Sequence, residues 1–117
     1  MDKPILYKPV TVLKGTDFAF TMNLEVAIST YDNILCVVYQ SGNEEEILSK
    51  LCMVAETGYD IGITSVDTNT VLITVPAADT GDGSESFYSV EIALMDSDVK
   101  KVSAIVADLF EIKTSKI

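Results

Sequence analysis

The sequence predicts an all-β protein, a sandwich of roughly seven or eight short antiparallel strands. Apolar side chains alternate with polar or small ones along most of the chain, as in residues 14–28, KGTDFAFTMNLEVAI. A period of two is typical of strands. Turn-forming residues separate these segments at spacings of about 8–12 residues. The chain shows no long helical period and no internal repeat, so residues 1–117 are predicted to form a single domain.

The first half of the chain is predicted to form strands joined by short turns. Residues 5–14 make a strand that Pro9 breaks or confines to a sheet edge, because proline cannot donate a hydrogen bond to a ladder. Residues 17–28 are apolar at even positions, which places Phe20 and Leu24 in the core. Residues 33–40 are apolar on both faces, so we expect a central strand covered on both sides. A return strand, or alternatively two turns of helix, follows at residues 45–54.

The second half continues the same pattern. Short strands are predicted at residues 60–66 and 69–75, and one helical turn at residues 77–79. A strand at residues 87–95 carries Tyr88 on its apolar side, and we expect its hydroxyl to bond a backbone carbonyl. After a tight turn at residues 96–98, a closing strand spans residues 99–113. It has a bulge near Asp108, where the apolar alternation slips, and two lysines, Lys100 and Lys101, that protect an exposed edge.

The two cysteines, Cys36 and Cys52, lie in apolar runs and are expected to be buried free thiols. A tight turn centred near residues 42–43 places Cys36 opposite Ser49 rather than opposite Cys52. A longer loop shifts that register and leaves a disulfide open.

The composition removes several classes of function. The chain has 18 acidic residues and 8 lysines, a net charge of −10, and neither His nor Arg. Such a surface repels nucleic acid and anionic membranes. The absence of imidazole removes His-based catalysis and His metal ligands. Because the sequence also lacks a phosphate-binding loop and a CxxC motif, we expect no enzymatic activity and no cofactor. No apolar stretch is long enough to span a membrane, and the start of the chain lacks the pattern of a signal peptide.

Two groups of residues are candidates for a site. The segment DTGDGSE carries Asp79, Asp82 and Glu85, which are potential calcium ligands. Their spacing does not fit a calcium-binding loop, so a solvated connection is the preferred interpretation. The second group is a candidate protein interface. It consists of Leu51 and Met53 on the return strand at residues 45–54, an edge with little protection, and of Tyr59, the best candidate for an exposed aromatic side chain.

The order of these segments resembles that of a known family. The opening VTVLKGTDFAFTMNL, the central YDNILCVVYQSGN, the elbow NTVLITVPAADTGDG, the Tyr-centred SFYSVEIALMD and the closing VKKVSAIVADLFEIKTS follow one another along nearly the whole chain. In order and spacing they resemble the small immunoglobulin-like proteins of phage and prophage tails. These include the N-terminal domain of the siphophage upper baseplate protein.

The resemblance implies an immunoglobulin-like antiparallel β-sandwich that serves as a non-enzymatic structural or assembly module near a tail baseplate. Its partners are then other tail or baseplate proteins, or further copies of itself, and it is found in the virion or in the cytoplasm of the bacterial host. The alternative is an adhesion module that binds carbohydrate or a cell surface. A hydrolytic enzyme is a third hypothesis, which needs two close carboxylates in a deep cleft.

Overall fold

The computed structural model describes residues 10–117, which are mostly β, with 59% in strands and 8% in helices. The expected all-β character is therefore confirmed. The part of the predicted first strand before Val10 lies outside the described residues. The elements, in chain order, are β1 (Val10–Leu13), β2 (Phe18–Asn23), a 3₁₀ turn (Ile28–Thr30), β3 (Asn33–Gln40), β4 (Asn43–Cys52), β5 (Asp60–Ile61), β6 (Ile63–Ser65), β7 (Thr70–Val75), α1 (Ala77–Asp82), β8 (Phe87–Asp96) and β9 (Val99–Lys113).

The strands form two sheets that pack on each other. The larger sheet has six strands in the order β1-β9-β8-β3-β4-β5, and the smaller has three in the order β2-β7-β6. Neighbouring strands are antiparallel except for β1 with β9 and β4 with β5, which pair in parallel. Side chains from both sheets join one hydrophobic cluster, so the sheets are the two layers of a sandwich.

The core follows from the alternation that the sequence shows. Along β7, Val71, Ile73 and Val75 are fully buried, while the residues between them are half-buried. Burying a side chain of this size contributes about 1.5–3 kcal/mol. The six-stranded sheet supplies most of the remaining core residues, which are Val12, Ile34, Cys36, Val38, Leu51, Tyr88, Val90, Ile92, Leu94, Phe110 and Ile112.

The register predicted for β2 is confirmed, but the strand is shorter than expected. Phe18, Phe20 and Met22 are half-buried and pack against the core, while the residues between them are exposed. The strand ends at Asn23 because Glu25 has a left-handed backbone conformation, with φ 61°, which interrupts a ladder. Leu24 still packs against the core, from the loop that follows.

The β3–β4 hairpin has a bulge that the sequence did not indicate. Gln40 pairs with Asn43 around a tight turn, but Tyr39 pairs with Ile47, so residues 44–46 are extra. Cys36 consequently lies opposite Leu51 and not opposite Ser49, which corrects the predicted register. Cys52 pairs with Leu35, one position along, and successive side chains of a strand point to opposite faces. Both thiols are free and fully buried, as expected.

We predict that neither thiol reacts with a thiol reagent in the folded protein at neutral pH. Burial raises the pKa of the Cys36 thiol to about 12, so the reactive thiolate is absent there. Cys52 is 0% exposed, so reagent cannot reach it. A colorimetric thiol assay should detect both groups only after denaturation. Rapid labelling of native protein would contradict the burial of the labelled cysteine.

The segment predicted as one strand at residues 60–66 is two short strands in different sheets. β5 pairs with β4, and β6 pairs with β7. The chain crosses between the sheets at Gly62, whose N–H bonds the Cys52 carbonyl and whose carbonyl accepts from Thr74 N–H. A Cβ atom at Gly62 would lie 2.8 Å from Leu51 Cδ2 and 3.0 Å from the Thr74 carbonyl oxygen. The crossing therefore requires glycine.

The β8–β9 hairpin is close to the prediction. Its two turn residues, Ser97 and Asp98, both have positive φ, the conformation of a tight type I′ turn. The bulge expected near Asp108 is confirmed by its φ of 51° and by a register shift opposite Ser89. Tyr88 is 2% exposed, and its hydroxyl donates to the Ser84 carbonyl at 2.9 Å, also as predicted.

Candidate interaction surface

The solvent-facing side of the six-stranded sheet carries several apolar side chains outside the core. We name it the sheet face. Its side chains alternate along β3, β8 and β9 with those that enter the core. Ile105 is 61% exposed and Ile47, at its border, is 46% exposed. The sheet face consists of Leu35, Val37 and Tyr39 from β3, Glu91, Ala93 and Met95 from β8, and Ser103 and Ile105 from β9.

The three-stranded sheet packs on the opposite side of these strands. On the sheet face, Leu35, Val37, Tyr39 and Met95 are half-buried. We expected β3 to be covered on both sides because both of its faces are apolar. In the part of the chain that the structure describes, only the loop before β5 reaches over this face, through Tyr59. The expectation of a second covering layer is therefore not met by these residues.

Glu91 is the one acidic side chain at the centre of the sheet face. Its carboxylate accepts from Lys100 Nζ at 3.5 Å and from Ser103 Oγ at 3.2 Å. The Lys100 ammonium is more than half exposed, so this pair adds little stability. It does balance the negative charge locally. Lys50 lies opposite Val37 on the other neighbouring strand, so the few charges at the centre of the sheet face are of both signs, on a strongly acidic protein.

Tyr59 lies at the border of the sheet face. Its ring is half-buried beside a groove of about 210 Å³ that Leu35, Val37 and Ala93 also line. Lys50 Nζ lies 4.5 Å from the ring centroid, a cation–π contact. Burial, and then the charge of Glu56, raises the pKa of the Tyr59 hydroxyl above its ordinary value. The sequence-based choice of Tyr59 as an accessible aromatic is therefore supported in part, since much of the ring is occupied.

The loop that carries Tyr59 is fixed by a buried amide. Asn33 is 8% exposed; its Nδ2 donates to the Val54 carbonyl at 2.9 Å, and its Oδ1 accepts from Val54 N–H at 2.8 Å. These two bonds take the place of the backbone hydrogen bonds that a neighbouring strand would make with Val54, just after β4 ends. A turn then closes with a bond from Tyr59 N–H to the Glu56 carbonyl. Asn33 thus anchors the start of the loop that carries Tyr59, a role that no local pattern in the sequence indicated.

The other interface candidates need correction. Leu51 is 1% exposed and belongs to the core, so it offers no side chain to a partner. Met53 is half-buried and packs against the core. The edge of β4 expected to be open at this end is occupied by β5, which pairs with Leu51 and Cys52. The short segment at residues 60–61 was not recognised as a partner for this edge, because two residues are too few to give a period.

The acidic candidates Asp79, Asp82 and Glu85 have separate surroundings. The Asp79 carboxylate accepts from Ser49 Oγ at 2.6 Å, which ties α1 to β4. The Glu85 carboxylate accepts from Thr114 N–H at 2.9 Å, and hydrogen bonding to Thr114, first from its side chain and then from its backbone, lowers the pKa of Glu85. Asp82 lines a small cavity of about 130 Å³ with Glu46. Within residues 10–117, no three His, Cys, Asp or Glu side chains are grouped as they would be to hold a metal ion.

Comparisons with known proteins do not assign this chain to a family. No protein-family model matches the sequence, and no curated protein matches it. Across residues 10–117, none of the helices has the length and apolar character needed to cross a membrane.

Proposed function

We propose that this protein is a structural module without enzymatic activity, which assembles with other proteins through the sheet face. The observation that carries the proposal is the composition of β3. Leu35, Val37 and Tyr39 make its outer side as apolar as its core side, yet the described chain buries the core side fully and the outer side only in part. Apolar side chains left in contact with water are unfavourable, and large patches of them mark interaction sites. A partner protein would supply the second layer.

The charge distribution supports a contact at this face. The chain carries a net charge of −10, so most of its surface repels another acidic protein. At the sheet face, Glu91 is balanced by Lys100, and the other charged side chains beside it are Lys50, opposite Val37 on β4, and Glu44 at the border. A partner with an apolar centre and a basic rim would fit this pattern.

The strand order supports an immunoglobulin-like identity for the sandwich. In variable-type immunoglobulin domains, two further strands extend the larger sheet beside its central strands. Here β4 and β5 extend the β9-β8-β3 group in the same way, and β2-β7-β6 forms the second sheet. Tyr88, bonded to the Ser84 carbonyl, is placed like the tyrosine of such a domain's corner. The Trp and the inter-sheet disulfide of antibody domains are absent here.

The biological setting that we propose is a phage or prophage tail, near the baseplate. This step rests on the resemblance of segment order and spacing to the small immunoglobulin-like tail proteins. The partners are then other tail or baseplate proteins.

The alternative, an adhesion module for carbohydrate or a cell surface, depends on aromatic side chains presented by loops. Tyr59 is an aromatic residue on such a loop, but Lys50 lies over its ring and the ring borders the sheet. One face of the half-buried ring is therefore already occupied by Lys50. The geometry therefore favours protein assembly.

A co-purification experiment tests the proposal. The full chain is co-expressed with the products of the genes next to its own, and complexes are isolated through a tag on this chain. We expect a stable complex with a tail protein, and we expect Val37→Lys to abolish it. A lysine at this half-buried position places a charge in the centre of the apolar contact.

The matched control is Thr21→Lys, which adds the same charge on the exposed side of β2, in the other sheet. Both variants should keep the circular dichroism spectrum of the parent. A complex that survives Val37→Lys as well as Thr21→Lys would overturn the sheet face as the contact. If the neighbouring genes encode no structural proteins of a tail, the proposed setting is wrong.

A further inference from the structure

Strand β9 has an edge that continues well beyond its partner β1. β1 lies beside Phe110–Lys113 only, with Val10 opposite Phe110 and Leu13 opposite Lys113. Along residues 99–108, the side of β9 away from β8 has no neighbouring strand among the described residues. We call this stretch the β9 edge. It is distinct from the sheet face, because an edge offers backbone hydrogen bonds.

The direction of the backbone groups on the β9 edge follows from the bonds of β8. The carbonyls of Phe87 and Met95 accept from N–H groups on the β3 side of β8. Backbone groups alternate in direction along a strand, so even-numbered residues of β8 bond toward β9. Their partners in β9 are Val102, Ala104 and Val106. The N–H and C=O groups of Ser103 and Ile105 therefore point away from β8, toward solvent.

The side chains beside this edge are apolar on the core side as well. Val102 is 44% exposed and Ala104 is exposed, although both are on the side of β9 that continues the core. With Met22, Leu24, Ile92 and Leu94, and with the polar Asn23 and Glu25 at one end, they line an open groove of about 230 Å³, where the three-stranded sheet does not reach β9. A strand added to the β9 edge would close this groove with its own alternating side chains.

The charges along β9 differ from those of the rest of the molecule. Residues 99–107 contain two lysines, Lys100 and Lys101, and no acidic residue, while the whole chain has a net charge of −10. An acidic residue, Asp108, follows at the other end of the β9 edge. In an antiparallel pair formed by two copies of one strand, the start of each lies beside the end of the other. In a register centred on Ala104, Lys100 of one copy would lie opposite Asp108 of the other, while it also bonds Glu91 of its own copy.

We propose that a second copy of this chain pairs with the β9 edge, antiparallel and about a two-fold axis centred on Ala104. In this register Ser103 of each copy is opposite Ile105 of the other, so the outward-pointing backbone groups bond each other. Ala104 faces its own symmetry mate at a non-hydrogen-bonded position, where Cα atoms approach to about 4.5 Å and a small residue fits. Val102 of each copy is opposite Val106 of the other. The core-side side chains of the two β9 strands then form one continuous row.

The first test is self-association of the full chain by analytical ultracentrifugation. We expect the parent chain to form a dimer. Ser103→Pro removes an outward N–H while leaving the bonds to β8 in place, a position where an edge strand tolerates proline. The dimer should weaken by about tenfold or more, because two symmetry-related bonds are lost. Ser103→Ala, which removes only the hydroxyl, should associate like the parent.

A cysteine cross-link tests the register independently of stability. Ala104→Cys should form an intermolecular disulfide quickly on mild oxidation, because the two thiols face each other across the axis. Thr21→Cys, exposed on the other sheet, is the matched control and should cross-link slowly. The native cysteines are buried and do not interfere.

Each outcome decides the proposal. A dimer that Ser103→Pro weakens and Ala104→Cys traps supports it. A chain that stays monomeric, with Ala104→Cys open to thiol reagent but no faster to cross-link than Thr21→Cys, overturns it. If Ala104→Cys is shielded from reagent in a monomer, another segment of the same chain covers the edge, which also overturns it. Neither negative result overturns the sheet face, because its own test variant, Val37→Lys, lies on β3; Ser103 and Ile105 belong to both surfaces, so Ser103→Pro is not used to test the sheet face.

Discussion

Phe110→Ala should lower the free energy of unfolding by about 3–5 kcal/mol, the range for removing a fully buried aromatic side chain. Phe110 is 0% exposed. Its ring centroid lies 4.7 Å from that of Phe18, in the smaller sheet, and 5.4 Å from that of Tyr88 on the neighbouring strand. Removal of the ring leaves a cavity between the two sheets. Chemical denaturation of the full chain measures the loss.

The control for Phe110→Ala is Phe87→Ala, at the start of β8. Phe87 is 42% exposed and is not part of the core cluster. Its replacement should change the free energy of unfolding by less than about 1 kcal/mol. Equal effects of the two substitutions would contradict the central position of Phe110.

Gly62→Ala should destabilise the fold by about 2–3 kcal/mol, a large effect for one added methyl group. The new Cβ would lie 2.8 Å from a buried leucine side chain and 3.0 Å from a backbone carbonyl oxygen. That carbonyl belongs to Thr74, whose N–H bonds Gly62, so the contact cannot relax without loss of the bond. Thermal unfolding followed by circular dichroism gives the change.

Gly81→Ala is the matched substitution in the same chain. Its Cβ would meet nothing nearer than Gly15 Cα at 3.7 Å, an ordinary van der Waals contact. Because alanine is the better helix former, this variant should be as stable as the parent or slightly more stable. If Gly62→Ala were equally well tolerated, the close crossing between the sheets would be wrong.

Features that depend on one strand and its nearest turn could be predicted from the sequence. The limits of β3, the core-facing side of β2, the hydroxyl bond of Tyr88 and the bulge at Asp108 are of this kind. Each follows from the alternation of apolar and polar residues along a strand, or from a local break in that alternation. The buried state of both thiols follows in the same way from the apolar runs around them.

Features that depend on pairing between distant segments could not be predicted. The three extra residues at 44–46 shift the whole β3–β4 register, and an uninterrupted run of glutamates gives no sign of it. The crossing at Gly62 depends on Leu51 and Thr74, which only the folded chain brings near. For the candidate site, the sequence identified Tyr59 as an interface residue but did not identify Val37 as one. A strand that is apolar on both sides is predicted to be buried on both, whereas the described residues leave its outer side half-buried.

The parallel pairing of β1 with β9 has a mechanical consequence. These strands lie near opposite ends of the chain, and Val10 is beside Phe110 while Leu13 is beside Lys113. A pulling force applied at Val10 and at Lys113 therefore acts along the two strands in opposite directions. All of their hydrogen bonds bear this shear load together, whereas in a hairpin pulled open from its ends the bonds break one after another. A domain built in this way resists stretching along its length before any part of the core is exposed.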